Sequence, residues 1–297
     1  MMAMAESLRG ELRYNEPMAR HTSWRVGGSA ACFFRPADVD DLAEYMRQLD
    51  PGEPVYWVGL GSNLLVRDGG LEGSVIAVHR ALSGLVFEPE GRVLAGAGVP
   101  CARIARQSVR QGLAGGEFFA GIPGTLGGAL AMNAGAFGGE TWERVCEVQV
   151  MDRQGRLHWR QPGEYRIGYR TVAGPRDEWF VAARLRFETD ADGEGRSRIR
   201  EMLARRGATQ PTGEPSCGSV FRNPPGDHAA RLIEAAGLKG YAIGGARVSD
   251  KHANFIVNTG AARAADMEAL ITHVRDTVKA RFDVLLEPEV QIVGRPA

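Results

Sequence analysis

Neither sign of charge predominates in this chain of 297 residues, where 36 lysines and arginines balance 36 aspartates and glutamates. That balance excludes a partner held by bulk electrostatics, nucleic acid above all, and leaves only local basic clusters to consider. Cysteine is scarce: Cys32, Cys101, Cys146 and Cys217 are far apart and form no C-x-x-C pair. They read as reduced, buried thiols of a cytoplasmic protein. The histidines, His21, His79, His158, His228, His252 and His273, lack metal-ligand spacing, so no metal is assigned. From Met1 to Tyr14 the chain is polar and charged and has no apolar core of a secretory signal. No internal repeat is visible. The length suits about two domains, and the apolar content suits an ordinary soluble globule.

Glycine is abundant, and it gathers between Gly115 and Gly139. No charge falls between Glu117 and Glu140, yet the segment is too rich in glycine for an ordinary core. Glycine reaches positive φ, and a succession of such turns aims several amide N–H groups at one anion. The expectation is a backbone cradle for a phosphate-bearing ligand. A membrane span of about 20 apolar residues competes, but Pro123, Asn133 and the glycines oppose it. Interleaved turns that bind nothing are the second competitor. A mononucleotide P-loop needs a lysine after its last glycine, and Gly121-Ile-Pro-Gly-Thr-Leu-Gly-Gly128 has none.

Helix signals are strongest at Asp38–Leu49, where Asp38 can cap and Val39, Leu42, Ala43, Met46 and Leu49 share a face, and at 264–282, where Met267, Leu270, Ile271, Val274, Val278 and Phe282 form a stripe. Further helices are expected after Pro100, at Ser197–Arg206 with a stop at Gly207, and at Asp227–Ala236. Strands are expected at 31–34, 55–59, 74–78, 92–95, around Val148 and Val150, at 157–159, 180–187, 253–258 and 284–293. The polar stretch from Thr189 to Arg198 reads as the main domain boundary.

Outside the glycine segment, three clusters could carry chemistry. Gly59-Leu-Gly61-Ser62-Asn63 follows a strand, but Leu64 replaces the third glycine of a dinucleotide fingerprint. Two glycine loops suggest closure on one diphosphate. In Tyr165-Arg-Ile-Gly-Tyr169-Arg170, Arg166 reads as a solvated edge. The Arg170 guanidinium suits bidentate binding of a carboxylate or phosphate. Cys217-Gly-Ser219-Val-Phe-Arg222-Asn223-Pro224 lacks the second glycine of a hydrolase elbow, and Cys217 has no visible activator and reads as packing. Glu287 and Glu289, at period two in the last expected strand, would share a face, either exposed or completing a site.

Leu60-Gly-Ser-Asn63, Gly121–Gly128 with Asn133-Ala-Gly135, Gly168-Tyr-Arg170, Gly218–Pro224 and Leu286-Glu-Pro-Glu-Val290 together resemble the UDP-N-acetylenolpyruvoylglucosamine reductase family in sequence order. The resemblance runs from about Asn15 to Gly294 and is closest to the shorter form of the family. No tyrosine-bearing insertion fits into the roughly fifty residues between Arg170 and Ser219. It implies an α+β fold, with a two-part FAD-binding region of the vanillyl-alcohol-oxidase-like (PCMH) type and an α/β substrate-binding domain. The implied bounds are 15–190 for the FAD region (subdomains about 15–78 and 79–190), 197–283 for the substrate domain, and 284–294 for a strand returning to the FAD region.

The resemblance implies non-covalent FAD on Gly59, Gly61, Ser62, Asn63, Gly121, Ile122, Pro123, Gly124, Gly127, Gly128, Asn133 and Gly135. NADPH is the implied hydride donor, and reduction of UDP-N-acetylglucosamine enolpyruvate to UDP-N-acetylmuramate the implied reaction. Arg170 matches the arginine that binds the substrate carboxylate and stabilises developing charge. Ser219 matches the donor of the proton to C2. Glu289 matches the glutamate that polarises the carboxylate or supplies a proton, a role that a pKa raised by burial would serve. Tyr169, Arg222 and Asn223 are candidates for the sugar nucleotide. Where the longer form has a substrate-binding lysine, this chain has Ala208-Thr-Gln210, so that contact does not transfer. The implied enzyme is cytoplasmic, inserts in no membrane and is expected to be monomeric. Two alternatives stay open: another flavoprotein of the same superfamily, for which Gly61–Arg67 offers no histidine for covalent attachment, and a non-catalytic nucleotide-binding module.

Overall fold

The computed structural model describes residues 7–297, so Met1 to Glu6 of the segment judged not to be a secretory signal lie outside the described residues. The chain divides into two compact units. Of the described residues, one takes 7–14, 32–59 and 73–204, the other 15–31, 60–72 and 205–297.

In the first unit, Asp38 caps the helix Val39–Gln48 as expected, its carboxylate accepting from the Asp41 N–H at 2.9 Å. Leu42, Tyr45 and Met46 from that helix pack with Phe34 and Ile76. The strands Val55–Val58 and Leu71–Ala77 pair in parallel within a four-stranded sheet. A second, antiparallel sheet has the order Leu157–Arg160, Val145–Asp152, Glu178–Arg186, Arg92–Gly96, Leu85–Phe87. Its inner face, with Val148, Val150, Ala183 and Leu185, covers Ile104 of the helix Cys101–Arg110 and much of the glycine-rich segment. That segment folds into a 3-10 turn, Glu117–Gly121, a short helix, Leu126–Ala131, and a small strand pair, 135–136 with 139–140. Against expectation it is core: Phe118, Phe119, Ile122, Leu126 and Leu130 between the glycines are buried.

The second unit is built on the helix Ala264–Phe282. The Asp68 carboxylate accepts from the N–H groups of Ala264 and Ala265 at 3.0 and 2.9 Å and so caps its start. Met267, Leu270, Ile271, Val274 and Val278 are buried with Leu232, Ile233, Val248 and Ile256. Phe282 leaves the expected stripe, because the helix ends at Asp283 in the left-handed region, φ 58°. The strands Ala242–Ile243, Ala246–Val248 and Ile256–Asn258 form an antiparallel sheet, and Gln291–Val293 runs parallel to Leu64–Val66.

Three expected elements are corrected. The helix expected to stop at Gly207 runs from Gly195 to Thr209; one glycine costs a helix only about 1 kcal/mol, and no proline follows until Pro211. The strand expected from Ala253 begins at Ile256, because Phe255 N–H closes a turn onto His252 O at 3.0 Å. Of the strand expected over 284–293, only Gln291–Val293 forms. Pro288 has no N–H for a ladder and makes only an isolated bridge with Phe221. Glu287 and Glu289 therefore share no strand face: Glu287 is exposed and Glu289 half-buried.

Candidate active site

The first glycine loop leaves the strand Val55–Val58 at Gly59. Gly61 is buried, and its carbonyl accepts from the Ser23 N–H at 3.2 Å. Ser62 sits half-buried in the following turn. The Asn63 side chain donates to the Glu289 carbonyl at 3.0 Å, and the Asn63 carbonyl accepts from Gln291 N–H at 3.0 Å. Two distant motifs of the sequence are thus joined in the second unit by direct bonds.

In the first unit, Gly121 and Ile122 are buried, Pro123 is exposed, and the Gly124 carbonyl accepts from Cys101 N–H at 2.9 Å. The amides of Leu126 and Gly127 are spent on Val99 O and Ala97 O, at 2.9 and 2.8 Å. They do not all face outward, as a pure amide cradle would require. Asn133 is buried with φ 47°. Its side chain accepts from Trp142 N–H at 3.1 Å and donates to Glu140 at 2.8 Å and to Gly168 O at 3.2 Å.

Gly168 precedes the hairpin turn Tyr169–Arg170, between strands Arg166–Gly168 and Thr171–Ala173. Arg170 is left-handed, φ 53°. Its guanidinium donates to Asn133 O at 3.3 Å and Gly135 O at 3.0 Å and lies 5.3 Å from the ring centre of the exposed Tyr169. The glycine-rich segment therefore orients the arginine.

In the second unit, Ser219 is half-buried between buried Cys217 and Val220. Glu289 N–H donates to Val220 O at 2.8 Å, and Arg222 N–H donates to Glu287 O at 2.9 Å. The two proton-bearing candidates thus stand on adjoining chain segments. Burial and the nearby Glu289 carboxylate push the Cys217 thiol well up, away from a nucleophilic thiolate. Arg222 lies 3.9 Å from the Glu287 carboxylate, and its Nε is buried without a hydrogen bond. Asn223 Oδ1 accepts from Ala229 N–H at 3.1 Å, at the start of the helix Ala229–Ala235.

Thr125 and Asn254 were missed in the sequence. Thr125 stands inside a motif read for its glycines. Asn254 has no neighbour in sequence that marks it, and its partners are 33 residues away.

A family model described as the FAD binding domain matches residues 30–160, and one described as UDP-N-acetylenolpyruvoylglucosamine reductase, C-terminal domain, matches residues 210–293. The chain is 60% identical to a UDP-N-acetylenolpyruvoylglucosamine reductase of Alkalilimnicola ehrlichii over 99% of both chains. It is 59% identical to one of Methylococcus capsulatus over 96% of this chain and 94% of that one. The crystal structure of the reductase from Thermus caldophilus superposes with a TM-score of 0.81 at 32% identity, covering 96% of this chain and 99% of that one. The chain belongs to the UDP-N-acetylenolpyruvoylglucosamine reductase family. It is an FAD-containing oxidoreductase of peptidoglycan precursor synthesis, reducing the enolpyruvyl sugar nucleotide to UDP-N-acetylmuramate with NADPH as hydride donor. Its fold is the α+β one expected, with an FAD-binding domain matched over residues 30–160. Among the described residues no helix is long and apolar enough to cross a membrane.

The residues present fit the cofactor. The Thr125 hydroxyl is buried without a hydrogen-bond partner. A Cβ on Gly59 would stand 2.2 Å from that hydroxyl, so only glycine admits the close approach. A Cβ on the exposed Gly128 would meet nothing nearer than the same hydroxyl at 4.0 Å. A waiting donor with open room beside a glycine is what a diphosphate requires.

Proposed function

We propose that Arg170, Ser219 and Glu289 are the catalytic groups of this reductase. The observation that carries the reading is the 2.8 Å bond from Glu289 N–H to Val220 O, which sets the glutamate beside the Ser219 segment. Bound FAD would supply the hydride for C3 of the enol ether, drawn from NADPH. Arg170 binds the substrate carboxylate through its guanidinium fork and stabilises the charge that develops toward C2 and that carboxylate. The Ser219 hydroxyl gives its proton to C2 and regains one from water. Glu289 polarises the carboxylate or supplies a proton.

Gly59, Gly61, Ser62 and Asn63 with Gly121, Ile122, Pro123, Gly124, Gly127, Gly128, Asn133 and Gly135 make up the cofactor loops, and Thr125 joins them on the strength of its unpaired hydroxyl. Residues 15–190 form the cofactor region, 197–283 the substrate domain, and 284–294 the returning segment. Tyr169, Arg222 and Asn223 face the sugar nucleotide in this reading. The buried Arg222 Nε supports the choice of that cation, whereas the Asn223 side-chain carbonyl already caps a helix. The enzyme works in the cytoplasm, where its nucleotide substrates are made, as a monomer whose own chain supplies every proposed group.

Stopped-flow absorbance tests the assignment. Ser219→Ala keeps bleaching by NADPH, and recolouring by the enolpyruvyl sugar nucleotide slows by about 10²–10⁴-fold, the usual worth of general acid catalysis. Recolouring at the parent rate would remove Ser219 from the reaction.

A further inference from the structure

We propose that Asn254 is a positioning residue of the proton transfer, holding the segment that carries Ser219; the inference rests on the role assigned to Ser219 above. Asn254 is 3% exposed and makes three hydrogen bonds to the two residues after the serine. Its carbonyl accepts from Val220 N–H at 2.9 Å. Its side-chain Oδ1 accepts from Phe221 N–H at 3.0 Å, and its Nδ2 donates to Phe221 O at 2.8 Å.

The need for a side chain here comes from the local path of the backbone. Ser216 bridges to Val257, and Asn258 N–H donates to Pro215 O at 3.0 Å, so the serine segment begins alongside the strand Ile256–Asn258. That strand starts only after a turn, in which Phe255 N–H donates to His252 O and Ser249 N–H donates to Phe255 O at 2.8 Å. Phe221 thus meets a carboxamide where a regular ladder would present a peptide group. A carboxamide has one acceptor and one donor arm in a plane, as a peptide does, and buried backbone groups must be paired. Aspartate of the same size has no donor when ionised, and leucine offers neither group.

Directly before Ser219 the chain turns at a glycine. Gly218 has φ 81°, and a Cβ there would meet nothing within 4 Å. Ser219 follows this turn, and the backbone bonds nearest to it lie on the downstream side. There one edge is held by Asn254 and the other by the bonds from Glu289 to Val220 and from Arg222 to Glu287. Loss of the carboxamide frees the edge opposite Glu289 and changes the spacing between the two proton-bearing groups. A misplacement of about 1 Å costs about 10²-fold in rate.

The test compares Asn254→Asp, Asn254→Leu, Ser219→Ala and the Asn254→Asp/Ser219→Ala double variant as FAD-loaded full-length proteins, with FAD affinity of the stripped proteins measured by fluorescence. The expected result is parent-like FAD affinity and NADPH bleaching in Asn254→Asp, with recolouring slowed about 10²-fold at about pH 8. The deficit relative to parent shrinks toward about pH 6. Burial against a carbonyl raises the pKa of the introduced carboxyl, and the protonated acid regains a donor. In the Ser219→Ala background, adding Asn254→Asp slows recolouring no further, because its effect passes through the serine. The inference is overturned by parent-like recolouring in both single Asn254 variants. It is also overturned by equal loss of both half-reactions with FAD affinity, or by independent effects in the double variant. If Ser219→Ala alone recolours normally, the serine assignment fails, and this inference fails with it.

Discussion

Each unit uses one buried asparagine to hold a proposed catalytic residue, and the two do it differently. In the first, the Asn133 carboxamide grips Gly168 O and Trp142 N–H beside the Arg170 turn. In the second, the Asn254 carboxamide grips both polar groups of Phe221 beside Ser219. The Arg170 guanidinium is itself part of its frame, through Asn133 O and Gly135 O. The bonds that hold the Ser219 segment, among the described residues, run through backbone atoms and the Asn254 side chain, and none of them uses the serine hydroxyl. Chemistry and architecture share atoms at Arg170 and are separable at Ser219.

The largest effect tests that contrast directly. Arg170→Ala should slow recolouring by about 10²–10³-fold, as for loss of a donor aimed at developing charge. It should also lower stability by about 1–3 kcal/mol, because two carbonyl groups lose their donor. Alanine meets the same backbone demand at φ 53° as arginine, so the difference reads the side chain. Arg170→Lys brings a point charge without the planar fork and should recover little of either loss. Denaturation midpoints beside the stopped-flow rates decide the matter: Arg170→Ala as stable as Ser219→Ala would break the comparison.

A middle-sized effect sharpens it. Asn133→Ala removes three side-chain bonds and leaves a residue less tolerant of φ 47°. Stability should fall by about 3 kcal/mol, mainly from buried groups left unpaired. Urea denaturation of the FAD-loaded protein measures this. A change under about 0.5 kcal/mol would mean that the glycine-rich segment holds its shape without the carboxamide.

How much of this was legible in the sequence follows from the kind of signal involved. The helices at Val39–Gln48 and Ala264–Phe282 announced themselves by a cap or an apolar stripe, and both formed. The motif order pointed to the family before any contact was known. Local signals misled where tertiary context decides: Gly207 does not stop its helix, and Pro288 breaks a run that read as strand. The Asn63 bond to Glu289 spans 226 residues, and no spacing rule reaches that far. Thr125 was hidden among glycines that drew attention to backbone alone. Asn254 carries its role in a carboxamide whose partners are set by a turn, and composition leaves no trace of that.

The smallest effect separates frame from chemistry in the second unit by pH. Arg67 makes two bonds to Glu268, Nε to Oε2 at 2.9 Å and Nη2 to Oε1 at 2.7 Å. They tie the end of the strand Leu64–Val66 to the helix Ala264–Phe282. The hydrogen bond from Arg67 is the main reason that the Glu268 carboxyl lies below its ordinary pKa, with burial opposing it. Both side chains are 33% exposed, and solvent screening reduces such a pair to about 0.5 kcal/mol. A carboxylate with a lowered folded pKa contributes fully above its unfolded value of about 4.3. The contribution is lost as pH falls through the folded value. Glu268→Gln should therefore be about 0.5 kcal/mol less stable at about pH 7 and no less stable than the parent at about pH 2. Urea midpoints at the two pH values check this, and a deficit that persists in acid would assign the effect to packing instead of charge. The sign bears on the contrast between the units. This pair stays ionised from about pH 6 to 8, the range in which Ser219→Ala and Asn254→Asp are compared. A slope in recolouring rate across that range therefore does not come from the release of this strand from its helix.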